Sequence, residues 1–110
     1  MTSDERFNSV VEALQGRTDV AVGYMFGSPG LKVGGKVFSM LVKGMLVVKL
    51  PRPRVEALIA SGSGEYFDPG HGRPSKEWVA IQPNDEPNWL AVSEEAMNCQ
   101  PFLPHAARNN

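Results

Sequence analysis

Hydrophobic residues near the start of the chain recur at helical spacing. Phe7, Val10, Val11 and Leu14 stand at i, i+3, i+4 and i+7, which is typical of an amphipathic helix with one apolar face. Ser3 or Asp4 can cap this helix, and Gly16 suits its C-terminal end. The pattern therefore predicts a helix over residues 3–15.

The next part of the chain has the composition of β-strands separated by tight turns. Strands are predicted at Val20–Phe26, Lys36–Val42 and Met45–Leu50, and Leu31–Val33 is either a separate strand or an extension of a neighbour. Gly27-Ser28-Pro29-Gly30 is predicted to be a turn. Gly34-Gly35 and Lys43-Gly44 are two-residue hairpin signals, which indicate an antiparallel sheet.

Helical and strand patterns alternate in the remaining sequence. Val55, Leu58 and Ile59 predict a second helix, and Glu77–Gln82 predicts a strand. Glu65–Phe67 is at most a brief strand within a loop, and Trp89–Val92 is either a short strand or the entry to a final helix that starts at Ser93. The order is helix, three strands, helix, one or two strands, helix. This predicts an α+β fold, a two-layer sandwich with an antiparallel sheet and helices on one side. We expect a single domain over residues 1–110, ordered over about 3–100, with a frayed tail at 105–110.

Both faces of the middle strands are apolar. Strict alternation sends Phe38, Met40 and Val42 to the face opposite Val37, Ser39 and Leu41. Three short helices can cover one face only, so the other is buried by loops of the chain itself or by a homodimer or protein partner. The candidate interface residues are Phe38, Met40 and Val42.

Composition excludes several classes of protein. The single cysteine, Cys99, allows no intrachain disulfide, which favours a reducing compartment. No apolar stretch is long enough to cross a bilayer, so no membrane association is expected and the cytoplasm is the expected location.

Charge is distributed unevenly, although the net charge is only −1. No acidic residue lies between Val20 and Val55, and that segment holds six basic residues: Lys32, Lys36, Lys43, Lys49, Arg52 and Arg54. They could bind nucleic acid in a salt-dependent manner, or the lysines could protect strand edges from aggregation. No nucleic-acid-binding motif accompanies them.

The most unusual loop runs from Asp68 to Arg73. Its candidate ligand or partner contacts are Asp68, His71, Arg73, Lys76 and Glu77. Asp68 and His71 could serve small-molecule binding or hydrolysis, while the alternative is turn architecture. Two ligands are too few for zinc, and the sequence holds no recognisable catalytic constellation; neither a metal nor a cofactor is expected.

Several motifs together resemble a known family. Tyr24-Met25-Phe26-Gly27, Gly30-Leu31 and Gly35-Lys36-Val37-Phe38 resemble the start of the TfoX/Sxy N-terminal domain family, and the similarity continues through Phe67-Asp68-Pro69-Gly70-His71-Gly72-Arg73 and Lys76-Glu77-Trp78-Val79. The resemblance covers roughly residues 5–100. It implies an α-β(3)-α-β(2)-α fold like that of type III secretion chaperones, and a non-enzymatic role in transcriptional or competence-type regulation. In the founding members a C-terminal helical domain follows this one.

Overall fold

The computed structural model describes residues 2–17, 20–25, 28–68, 72, 75–83 and 88–99. Its helices are α1 (Ser3–Gln15), α2 (Arg52–Ala60) and α3 (Trp89–Cys99). Its strands are β1 (Val20–Met25), β2 (Ser28–Val33), β3 (Lys36–Val42), β4 (Met45–Lys49), β5 (Glu65–Phe67) and β6 (Ser75–Ile81). The strands form one antiparallel sheet in the order β1-β2-β3-β4-β6-β5.

All three helices cover the same face of this sheet. Buried residues of α1, α2 and α3 share one hydrophobic cluster with the inward residues of the strands, among them Phe7, Val55 and Trp89 from the helices. The predicted two-layer α+β sandwich is therefore confirmed. Four strands rather than three precede α2, however, so the order is α-β(4)-α-β(2)-α.

The additional strand, β2, contains Leu31–Val33, so the alternative that these residues form a separate strand is confirmed; it begins earlier, where a turn was expected. Residues Ser28–Gly30 belong to β2 and pair with β1, so the turn prediction is wrong for them. Pro29 lies opposite Tyr24 of β1, and the pairing of β2 with β3 begins only at Gly30. A proline is tolerated at such a position because it has a strand neighbour on one side only.

Local signals in the sequence explain how α1 begins. The Thr2 hydroxyl accepts a hydrogen bond from the main-chain N–H of Glu5 at 3.1 Å, and the Thr2 N–H donates to the Glu5 carboxylate at 2.9 Å. This reciprocal pair is a capping box. The bond from the Thr2 N–H is also the main reason why the pKa of Glu5 lies below its usual value.

Two-residue turns close both central hairpins as predicted. Gly34 and Gly35 have φ of 61° and 83°, and Lys43 and Gly44 have φ of 51° and 80°. Two successive positive φ values are characteristic of type I′ turns, whose twist matches that of the strands they join. Glycine adopts these angles without strain, whereas Lys43 does not.

A bulge in β3 changes which side chains share a face. Leu31 lies opposite Ser39, but the next residue, Lys32, lies opposite Val37, so Phe38 is an extra residue in β3. Phe38 consequently packs in the helix-side cluster, while Met40 belongs to a separate cluster on the other face. The expectation that Phe38 shares a face with Met40 and Val42 is wrong.

The last helix begins at Trp89, so of the two alternatives for Trp89–Val92 the helix entry is confirmed. The Asn88 side-chain oxygen accepts a hydrogen bond from the Ala91 N–H at 3.0 Å and caps α3, so Ser93 lies inside the helix. The buried Trp89 ring donates from Nε1 to the Gln82 carbonyl at 2.9 Å. Over the described ranges, no helix has the length and apolar character needed to span a membrane.

Candidate functional site

The face of the sheet turned away from the helices, hereafter the open face, is apolar at its centre. Met40, Val47 and Ala80 come from neighbouring strands β3, β4 and β6, and at most 3% of any of them is exposed. Half-buried hydrophobic side chains pack around them and form a rim: Val37, Val42, Met45, Phe67 and Trp78. The prediction of a second apolar face is therefore confirmed.

Burial of this centre is achieved within one chain. Met40 and Val47 are fully buried without any second molecule, whereas each rim residue keeps part of its surface in contact with solvent. Of the three predicted interface residues, Val42 lies in the rim, Met40 beneath it and Phe38 on the helix side. An approaching partner would thus meet the rim first.

Two lysines, Lys32 and Lys49, lie at one end of the open face, hereafter the basic end. Lys32 lies opposite Val37, and Lys49 lies opposite Trp78, so both lysines adjoin the rim. The methylene chain of Lys32 crosses above Gly23 of β1, where a Cβ atom would stand 2.6 Å from Lys32 Cε. Lys36 is exposed at the same end of β3, but it pairs with Val33 and so belongs to the helix side of the sheet.

The other three basic residues of the segment lie elsewhere. Lys43 lies in the turn at the opposite end of β3. Arg54 Nε donates to Glu95 of α3 at 2.7 Å, and Arg52 Nε donates to Glu56 at 3.0 Å. The two arginines are therefore neutralised by acids outside their own segment, and the expectation of six uncompensated positive charges is wrong for them.

The predicted loop site is described only in part. Asp68, Lys76 and Glu77 are exposed, and Asp68 follows directly after β5. His71 and Arg73 lie outside the described residues, so the hypothesis that Asp68 and His71 act together stays a prediction. Among the residues that are described, no three metal-binding side chains come together.

No protein-family model matches the chain, and no curated protein sequence does. The resemblance to the TfoX/Sxy N-terminal domain family therefore rests on the motifs alone.

A cleft on the opposite side of the molecule was not predicted from the sequence. It measures about 250 Å³ and lies between α1 and the start of α3, where Arg6, Ser9, Asn88 and Trp89 form much of its wall. The Arg6 guanidinium stands 5.9 Å from the centre of the Trp89 ring, which is within cation–π range. The capping residue Asn88 before an apolar helix was the signal that could have located it.

Cys99 lies at the exposed end of α3. Partial burial, assisted by the nearby Glu95 carboxylate, raises the pKa of its thiol. Reactive cysteines need the opposite shift, because only the thiolate is a good nucleophile. The environment of Cys99 therefore disfavours a nucleophilic role.

Proposed function

We propose that this chain is a non-enzymatic regulatory domain that binds an acidic, partly apolar segment of a protein partner on its open face. The observation that supports this function is a sheet face that none of the three described helices covers, and whose half-buried rim adjoins the basic end. The motif resemblance to TfoX-type regulators supports the regulatory part of the proposal.

The rim supplies the apolar part of the contact. Trp78 and Met45 retain exposed surface that a partner could cover, and each square ångström of apolar area removed from water contributes about 25 cal/mol. Large aromatic and methionine side chains are also typical of the residues that dominate protein interfaces. A chain that lies across the rim would therefore bind through side chains that already stand in place.

The basic end determines the sign of the partner's charge. Lys32 and Lys49 stand beside the rim, whereas Glu65 and Asp68 lie at the far edge of the sheet in and after β5. Carboxylates of a partner would be attracted to the lysine end, which fixes the direction in which the segment lies.

A protein segment fits these positions better than a nucleic acid does. A phosphate backbone is bound by a row of cations that follows it. Here Arg52 and Arg54 are engaged with carboxylates on the helix layer, and Lys43 lies at the other end of β3. Lys32 and Lys49 adjoin an apolar rim, and this combination suits a partner that carries both acidic and apolar side chains.

A synthetic peptide of alternating glutamate and leucine tests the proposal. Titrated into ¹⁵N-labelled protein, it should shift the amide signals of Val37, Met45 and Trp78. Charge reversal at the basic end, in the double variant Lys32→Glu/Lys49→Glu, should weaken binding by about tenfold or more. Lys43→Glu is the matched control and should bind nearly as well as the wild type.

Two outcomes would contradict the proposal. A lysine–leucine peptide that shifts the same signals equally would show that the charge of the basic end has no role. Salt-sensitive binding of a short DNA duplex, lost in Lys32→Glu/Lys49→Glu while the glutamate–leucine peptide has no effect, would assign the surface to nucleic acid instead.

A further inference from the structure

The two edges of the sheet are built differently. β5 has only three residues, begins with Glu65, and pairs with β6 through a shifted register. β1 has six residues, none of them charged, and pairs with β2 in an unbroken register from Val20 to Met25. Short strands, charges and bulges are the devices that keep sheet edges from pairing with other chains. β5 has all three, and β1 has none of them.

β1 also displays apolar side chains to solvent. Tyr24 is 72% exposed and Val22 is 45% exposed. The two residues flank Gly23 and point to the same side of the sheet. β1 has β2 on one side, and no other described strand pairs with it. Its outer backbone groups are therefore placed to accept a further strand.

We propose that the β1 edge binds a second copy of this chain, with the two β1 strands antiparallel across a two-fold axis at Gly23. A symmetric contact of this kind places each Val22 opposite the Tyr24 of the other copy, on the same face. Pairs of β-branched and aromatic side chains are favourable cross-strand neighbours. The two six-stranded sheets would then form one continuous sheet.

Self-complementarity favours a second copy as the occupant, because one strand supplies both the β-branched and the aromatic member of each cross-strand pair. β1 itself contains no acid or base. The nearest lysine on the neighbouring strand is Lys32, which lies opposite Ala21 and whose side chain crosses above Gly23. The two Lys32 ammonium groups would repel each other at the axis, so each flexible side chain must turn away as the copies meet.

Disulfide cross-linking tests the register directly. In a Cys99→Ser background, Gly23→Cys places two thiols on directly opposed residues, with Cα atoms about 5 Å apart, which a disulfide can span. The flexible Lys32 side chain can move to admit the new Cβ atom. Ala21→Cys is the matched control, because its copies are about 13 Å apart along the strands and cannot be bridged. Mild oxidation should yield a covalent dimer for Gly23→Cys only.

Molar mass in solution tests the edge independently. We expect the wild type to exceed its monomer mass of 12.0 kDa as concentration rises. Tyr24→Lys should weaken association by about tenfold or more. The corresponding change on the other edge, Tyr66→Lys, should leave it unaltered.

The proposal fails if the wild type stays monomeric at concentrations approaching about 1 mM. It also fails if Tyr24→Lys associates as well as Tyr66→Lys, or if the Gly23→Cys variant dimerises without cross-linking. Lys49 belongs to the basic end but lies on β4, three strands away from β1. Lys49→Glu should therefore weaken peptide binding without any change in mass.

Discussion

Ser39 and Ser93 place two hydroxyl groups inside an otherwise apolar core. Both residues are fully buried, and their Oγ atoms are 3.0 Å apart. The contact joins β3 to α3 across 54 positions of sequence. Buried hydroxyl groups need a hydrogen-bond partner, so this pair helps to fix the position of α3 on the sheet.

Removing either hydroxyl alone should lower the free energy of unfolding by more than half of the loss caused by removing both. Ser39→Ala leaves the Ser93 hydroxyl buried without this partner, and we expect the free energy of unfolding to fall by about 1 to 3 kcal/mol. In the double variant Ser39→Ala/Ser93→Ala, no orphaned hydroxyl remains from this pair. Urea unfolding of both single variants and the double variant should therefore give a loss smaller than the sum. Simple additivity would show that the hydroxyls are independent.

At the scale of elements, the β3–β4 hairpin contains a removable strain. Lys43 holds φ of 51°, a region that asparagine and glycine adopt much more readily than lysine. Lys43→Asn should raise the free energy of unfolding by about 0.5 to 1 kcal/mol. Lys36→Asn removes the same charge from a strand residue and should not stabilise the protein. Equal effects of the two changes on the denaturation midpoint would assign the gain to charge instead of to the turn.

Elements governed by local signals were predicted well from the sequence. α1 follows its apolar stripe, and both hairpin turns follow their glycines, whereas the N-cap of α1 is Thr2 and not Ser3 or Asp4. The bulge at Phe38 was missed, and the start of α3 at Trp89 was left open between a short strand and a helix entry. Phe38 is displaced by the register of β2, and Trp89 is anchored to the Gln82 carbonyl. Hydrophobic spacing along the chain specifies neither of these pairings.

At the scale of the whole molecule, the apolar character of the open face was predictable, but its charges were not. Hydrophobic residues occupy both sets of alternate positions in the middle strands, and this pattern predicted the second apolar face directly. Whether a basic residue adjoins that face depends on long-range contacts. Arg54 and Glu95, for example, are 41 residues apart and meet only because α2 and α3 share a layer.

The open face contributes to stability within a single chain, which a matched pair of methionines can show. Met40 is fully buried there, whereas Met45 lies in the rim and is half-buried. Met40→Ala should lower the free energy of unfolding by about 2 to 5 kcal/mol, and Met45→Ala by clearly less. Thermal or urea unfolding at low protein concentration checks this. Equal losses of unfolding free energy in the two variants would show that Met40 is packed no more tightly than the rim residue Met45.

Neighbouring side chains already bury the cluster of Met40, Val47 and Ala80. This affects how long a partner remains bound. Little fresh apolar area is left to cover, so the attraction between carboxylates and lysines must supply much of the affinity. Complexes of that kind form quickly, dissociate quickly and weaken with salt. Residence times should therefore be short, and resonances in the peptide titration should move continuously instead of splitting into bound and unbound sets. Such a domain would release its partner readily, as a reversible regulator must.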